Sequence, residues 1–202
     1  MASRELLLYT LVPYFGLSAV FYFKDDAQQR KKYAYVAPLV LLNLFVLLPP
    51  WMHRLLAHKW VVPCTNDRSN PKRILREGMQ CLMLFEIFFY YSHRILHRFR
   101  FLYDNVHRVH HQLDKPIGLG ALYAHPIEFI VCNLLPMSIG PMVLQTPLLV
   151  TLKLWLCFAT SFVVVTHSGH VQNKHLEHHL TLKSAYGSLG FLDWLFSVFN
   201  SN

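Results

Sequence analysis

Two uninterrupted apolar runs limit what this chain can fold into. Leu6–Phe23 gives 18 residues without a charge, and Ala34–Met52 gives 19 more. A bilayer core takes ~20 apolar residues of helix, so both runs read as membrane spans. The first run has a second reading, a secretory signal. Signal cores hold only ~7–15 apolar residues before a small-residue cleavage site, whereas this run stops abruptly at Lys24-Asp25-Asp26. A retained anchor is expected. The 53% hydrophobic content and mean hydropathy of +0.28 argue against an ordinary soluble domain. The length suits one domain, since domains commonly run ~100–200 residues.

The remaining apolar material falls into three pieces. Met79–Ser92 contains Glu86 and feeds directly into His93 and His97, so one helix from near Gly78 to Arg98 is expected. Pro126–Ser138 and Pro141–Thr166 read as a helical hairpin broken by Pro136, Gly140 and Pro141. Lys153 interrupts the second arm, where its long stem suits snorkelling to an interface. A basic, polar loop, His53–Gly78, joins the anchor runs to the rest, with Pro63, Asn66-Asp67 and Asn70-Pro71 as breakers. The organisation expected is an N-terminal anchor and basic loop over 1–78 and a second unit over 79–202. Asp193, Trp194 and Phe199 lie in a short amphipathic tail.

Against this apolar background stand 13 histidines. Eight fall in three clusters: His93 and His97; His107, His110 and His111; His175, His178 and His179. The spacings are HxxxH, HxxHH and HxxHH. On a helix, positions i, i+3 and i+4 fall within an arc of about 100°, so each triplet can aim its rings at one place. Imidazole is a common ligand of transition metals and a poor core filler. His167 and His170 follow the end of one apolar arm. His125 precedes Pro126, and reads either as a turn residue or as a group folded back on a metal site. His53 and His58 are isolated and read as bystanders. Tetrahedral zinc needs four ligands, whereas about ten histidines here suffice for two metals. Imidazole alone does not choose among zinc, copper, iron and nickel.

Other residue types bound the chemistry. Cys64, Cys81, Cys132 and Cys157 are scattered without a CxxC pair, so neither a disulfide framework nor cysteine-ligated zinc is expected. The formal charge of +8 gathers in Arg30-Lys31-Lys32, in Arg54–Arg76 and between Arg94 and Arg108. Beside membrane spans this favours anionic headgroups or acidic electron-transfer partners over nucleic acid, or simply loops held on the cytosolic side. Charge does not settle topology. Cytosolic histidines leave the basic Arg54–Arg76 loop on the other side, so either the third run is re-entrant or one anchor run lies in the interface. Glu86, Glu128, Glu177 and Asp193 are the carboxylates near the histidines. Glu128 is the preferred partner of a ligating ring, or else a helix-start residue; Glu177 points away and reads as solvated. Tyr90, Tyr91 and Tyr123 line a pocket or anchor an interface.

Ser92-His93-Arg94-Ile95-Leu96-His97, His107-Arg108-Val109-His110-His111 and His175-Leu176-Glu177-His178-His179 resemble, in the same order, the three boxes of the fatty acid hydroxylase and sterol desaturase superfamily. Leu122-Tyr123-Ala124-His125-Pro126-Ile127-Glu128 and Thr166-His167-Ser168-Gly169 further resemble its C4-methylsterol oxidase branch. The resemblance covers about Met79–Phe196. It implies an all-α integral membrane protein, transmembrane helical hairpins beneath a cytosolic histidine-rich cap holding two iron ions. By the same resemblance it is a multi-pass monooxygenase of the endoplasmic reticulum. Its substrate is a sterol methyl group or a fatty acyl chain, its oxidant is dioxygen, and electrons come from NAD(P)H through cytochrome b5 and its reductase. The implied ligands are His93, His97, His107, His110, His111, His125, His167, His175, His178 and His179. His170 departs from the pattern, because tyrosine is common there in the sterol branch, and stands as a possible additional ligand. The short segment after Phe196 and the lack of a fused haem-binding domain are further departures, bearing more on substrate than on chemistry. The rival readings are a non-catalytic metal-binding or zinc-transport membrane protein and an inactive member of the superfamily.

Overall fold

The computed structural model describes residues 2–57, 70–113, 115–144, 149–182 and 185–199. His58, Pro63, Cys64 and the Asn66-Asp67 breaker lie outside the described residues. Every element is helical: α1 (Ala2–Lys24), α2 (Ala27–Leu42), α3 (Leu48–Ala57), α4 (Pro71–Arg98), α5 (Arg100–Asn105), α6 (Pro126–Glu128), α7 (Leu135–Leu144), α8 (Leu149–His167), α9 (Lys174–Thr181) and α10 (Phe191–Phe199). Two π-helical turns, Asn43–Leu47 and Phe129–Leu134, fuse α2 to α3 and α6 to α7. Two 3-10 turns, His107–Gln112 and Gly118–Leu122, complete the set. The all-α membrane architecture is borne out: four helical stretches, Glu5–Lys24, Ala27–Leu55, Pro126–Leu144 and Val150–His167, are long and apolar enough to cross a bilayer.

The long helices alternate in direction along the chain. Lys153 at the start of α8 pairs with Glu5 at the start of α1, and His170, just beyond α8, stacks on Phe21 near the end of α1. The two helices therefore run parallel. α4 begins at the opposite end from the histidines, where Glu77 accepts a hydrogen bond from Thr151 of α8 at 3.0 Å, and runs back alongside α7. The third run is the second half of a 28-residue helix that starts at Pro71, and that helix is not one of the four stretches long and apolar enough to cross a bilayer. The helix starts earlier than Gly78 because Asn70 caps it, accepting from Lys72 N–H, and Pro71 takes the first position, where no N–H is needed.

The prolines do not divide the structure where the sequence suggests. Pro136 and Pro141 lie inside α7, which continues to Leu144. Pro49-Pro50 and Pro136 each follow the end of a π turn after one intervening residue. Proline lacks an N–H and crowds the carbonyl one turn back, and a widened turn relieves both faults without ending the helix. The turn in α2–α3 also keeps the core stripe aligned. Val36, Val40, Leu44, Leu48 and Met52 are all buried, and a spacing of four drifts by roughly 40° per step on a regular α-helix. The wider turn takes up that drift. Gly140 is a contact residue rather than a break, since a Cβ there would lie 2.7 Å from Cys81 Cα.

Two polar side chains in the apolar layer pin the segment that leads to the site. Asn43 donates to the carbonyls of Leu122 and Ala124 at 3.1 and 2.9 Å, and the Tyr14 hydroxyl donates to the Leu119 carbonyl. Gly118 and Gly120 allow this close seating, because a Cβ on Gly120 would come within 2.8 Å of Leu113. The α4–α7 contact gives the first expected outcome. Gly140→Leu forces the two helices apart and destabilises the fold by about 1–3 kcal/mol, read as a lower melting temperature of the detergent-solubilised protein.

Candidate metal centre

Three helices and a 3-10 turn deliver the histidines to one face of the bundle. α4 brings His93 and His97, the 3-10 turn after α5 brings His107, His110 and His111, α8 ends at His167, and α9 brings His175, His178 and His179. Asn173 starts α9 by accepting from Leu176 N–H at 2.9 Å. The rings form two groups: His93, His97, His107, His111 and His178; and His110, His167, His175 and His179. Within each group one ring nitrogen per residue lies within 4.8 Å of all the others. The groups abut, with the His111 and His179 ring centroids 4.6 Å apart.

Neither triplet aims at a single place. His107 and His111 join the first group while His110 joins the second; His175 and His179 join the second while His178 joins the first. The reason is angular. In α9 residues four apart nearly eclipse and adjacent residues diverge by about 100°, and in the 3-10 turn adjacent residues diverge by about 120°, so each HH pair reaches into both groups. The 100° arc inferred from the spacing is real but serves to bridge two sites.

Hydrogen bonds fix which nitrogen faces inward. Nδ1–H of His110 donates to the Tyr123 carbonyl at 3.0 Å, and Nδ1–H of His167 donates to the Val163 carbonyl at 2.8 Å. A carbonyl only accepts, so in the neutral ring each Nε2 is left bare. These two bare nitrogens stand 3.2 Å apart. In the first group, His93 donates through Nδ1–H to the Tyr186 carbonyl at 2.8 Å, His107 donates to Glu128 Oε1 at 2.7 Å, and their Nε2 atoms are 3.1 Å apart. Such pairs are not hydrogen bonds. They are lone pairs facing each other, an arrangement that a shared cation turns from repulsion into coordination. Among the described residues, both ring nitrogens of buried His179 have no hydrogen-bond partner, which fits the same conclusion. The donor set is all imidazole and suits two borderline transition-metal ions.

Electrostatics agree. Burial, followed by the neighbouring rings, holds His107, His175 and His179 well below the ordinary histidine pKa. Burial lowers His110 to about 4, opposed in part by its bond to the Tyr123 carbonyl. Neutral rings are the ligating form.

The remaining candidates take other places. His125 stands outside both groups; its Nδ1 accepts from Ile127 N–H at 3.2 Å and caps α6. His170 also stands outside them, bonded through Nε2 to Asp25 at 2.7 Å. His53 is exposed on α3. Glu128 is buried against His107, and Glu177 is exposed and paired with Lys174. Tyr123 contributes its carbonyl rather than its hydroxyl. Tyr186, with its ring 5.3 Å from that of His97 and 5.4 Å from that of His178, does not stand out in the sequence. A backbone carbonyl leaves no residue-type signal, so neither its role nor that of Val163 is visible in composition or spacing.

The first group opens into a cavity lined by His93, His107 and Glu128 together with His110, His167 and His175 of the second. Asn133 and Val163 form a wall of this cavity and also of an apolar cavity bounded by Leu55, Met137 and Leu152.

A family model, fatty acid hydroxylase, matches residues 78–198. The chain belongs to the fatty acid hydroxylase family. Fatty acid hydroxylase domain-containing protein 2 of Homo sapiens is 37% identical over 142 residues, covering 67% of this chain and 42% of that protein. Fatty acid hydroxylase ahd1 of Mycosarcoma maydis is 30% identical over 180 residues, 83% of this chain and 45% of its own length. Methylsterol monooxygenase 2-2 of Arabidopsis thaliana is 40% identical over 106 residues, 52% of this chain and 38% of its own. The chain thus spans less than half the length of these relatives. No solved structure matches it. The family match takes in all nine grouped histidines, eight on α4, the 3-10 turn and α9 and His167 on α8.

This geometry has two measurable consequences. Glu128→Ala removes the acceptor that orients His107 and weakens metal binding about 10–100-fold, as measured by competition with a chelator. The pH dependence comes from His110, which takes a proton at 6.5 when unfolded and only at about 4 when folded. The folded form therefore binds fewer protons than the unfolded one across that window. Stability of the chelator-treated protein is full above 6.5 and falls as pH drops towards 4. Thermal melting across this range checks it.

Proposed function

We propose that this chain is a membrane-bound di-iron monooxygenase that hydroxylates or stepwise oxidises a lipid, at a sterol methyl group or a fatty acyl chain. The observation that carries the reading is the shared wall at Asn133 and Val163: a site made of imidazole borders an apolar cavity inside the membrane layer. A zinc transporter calls for ligands near the bilayer midplane, whereas these histidines gather at helix ends.

A bound iron pair supplies the activation of dioxygen. The chain's own residues do the rest. Glu128 and the carbonyls of Tyr123, Val163 and Tyr186 hold four rings with Nε2 inward. The lining of the apolar cavity, whose free space in this structure is about 20 Å³, keeps water from this edge of the site and would meet the alkyl part of the lipid once it widens to admit it. This matters because holding the target bond in place supplies the selectivity that a strong oxidant lacks. Asn133 brings an amide to the boundary between the two cavities, where a polar group of the lipid would meet it. Arg94, Arg98, Arg100 and Arg108 lie on the histidine side and suit an acidic electron donor such as cytochrome b5, supplied from NAD(P)H by its reductase. With the cap facing the cytosol, the reading places the protein in the endoplasmic reticulum. It divides the chain into an anchor, 1–78, and a catalytic unit, 79–202.

Metal analysis of the purified protein tests this. About two irons per chain, with oxygen consumption that depends on reductant and lipid, are expected. His178→Ala abolishes turnover, and His53→Ala retains it. Stoichiometric zinc in protein expressed with ample iron, together with no turnover, overturns the proposal.

A further inference from the structure

The loop between α9 and α10 is held in an unusual way. Four consecutive backbone N–H groups are consumed by two carboxylates. Tyr186 N–H and Gly187 N–H donate to the two oxygens of Asp193 at 2.8 and 2.7 Å. Ser188 N–H and Leu189 N–H both donate to Glu86 Oε2, at 3.0 and 2.9 Å. Ala185 and Gly190 flank the loop with φ of 65° and 74°. At Gly187 no side chain fits, because a Cβ would come within 2.8 Å of Asp193 and collide with the Glu86 carboxylate.

The held peptide matters because of what its other side does. The Tyr186 carbonyl is the acceptor for His93 Nδ1–H, and the Tyr186 ring covers His97 and His178. Glu86 and His93 are seven residues apart on α4, two turns and about 20° from eclipsed, so one helix face carries both the clamp and the ring it serves. Glu86 is 1% exposed, which makes its carboxylate a costly choice for merely closing a loop.

We infer that Glu86 and Asp193 are positioning residues of the metal centre, acting through the Tyr186 carbonyl to fix the tautomer and orientation of His93. The inference rests on the reading of the histidine groups as metal sites. Loss of either carboxylate frees the loop, lets His93 turn, and loosens the metal in the five-histidine group while every ligand remains present.

The test uses the full chain loaded with cobalt(II), whose visible absorption reports ligand geometry. Its release to a chelator is timed in Glu86→Ala, Glu86→Gln and Asp193→Asn. Glu86→Ala releases the metal about 10–100-fold faster than wild type and shifts the cobalt bands. Glu86→Gln, whose amide oxygen accepts the same two N–H groups, restores both. A Glu86→Ala protein with wild-type bands and release rate but a lower melting temperature overturns the inference, since Glu86 is then structural alone. If Glu86→Ala does not accumulate as folded protein, Asp193→Asn decides, because it keeps one of two acceptor oxygens: faster release supports the inference and an unchanged rate overturns it. A wild-type chain that takes up no cobalt fails at the underlying metal reading instead, which separates the two.

Discussion

Nine imidazoles crowded at one end of a helical bundle are the condition on which the rest of this structure turns. In four of them, His93, His107, His110 and His167, the inward nitrogen is bare, and the facing pairs stand 3.1 and 3.2 Å apart without a proton between them. Left free, such rings rotate away from one another. These four are fixed from behind, His93, His110 and His167 by a backbone carbonyl and His107 by the Glu128 carboxylate. That backbone is set by the membrane helices. Asn43 and Tyr14, both from the apolar layer, anchor the 118–124 segment, and Tyr123 in that segment anchors His110. A line of contacts thus leads from two side chains in the membrane layer to a ring at its surface.

Much of the scaffold is legible in the sequence, for a clear reason. Apolar runs of span length leave few choices but helix, and the described residues are helical almost throughout. The histidine boxes are equally visible, because ligand residue types at helical spacing have few other uses. What the sequence hides is what depends on partners far along the chain. The split of each HxxHH box between two groups arises from how four segments converge. Whether His125 turns inward or caps α6 is decided by the next two residues' backbone, and it caps. Glu128 could be singled out by its place after a His-Pro step; the Tyr186 and Val163 carbonyls could not, since every residue has one.

The prolines teach a related lesson about the membrane layer. Pro136 and Pro141 look like punctuation when water is the assumed solvent. In an apolar layer an open turn has no solvent to satisfy its freed carbonyls, so the chain widens by one residue and continues as helix. The same widening sets Cys132 and Asn133 on the wall of the histidine cavity. A residue pattern that reads as a break at the surface becomes a means of re-aiming side chains inside.

The sharing of His110-His111 and His178-His179 between the two groups has a consequence for how this chain can vary. Adding or removing one residue inside either box would rotate the downstream histidines by about 100° in α9 or about 120° in the 3-10 turn and exchange members between the groups, leaving one short and the other crowded. The residues between the histidines can change freely, but their number cannot. The box therefore behaves as a ruler whose length is fixed by two sites at once, and drift in this part of the chain proceeds by replacement and never by insertion.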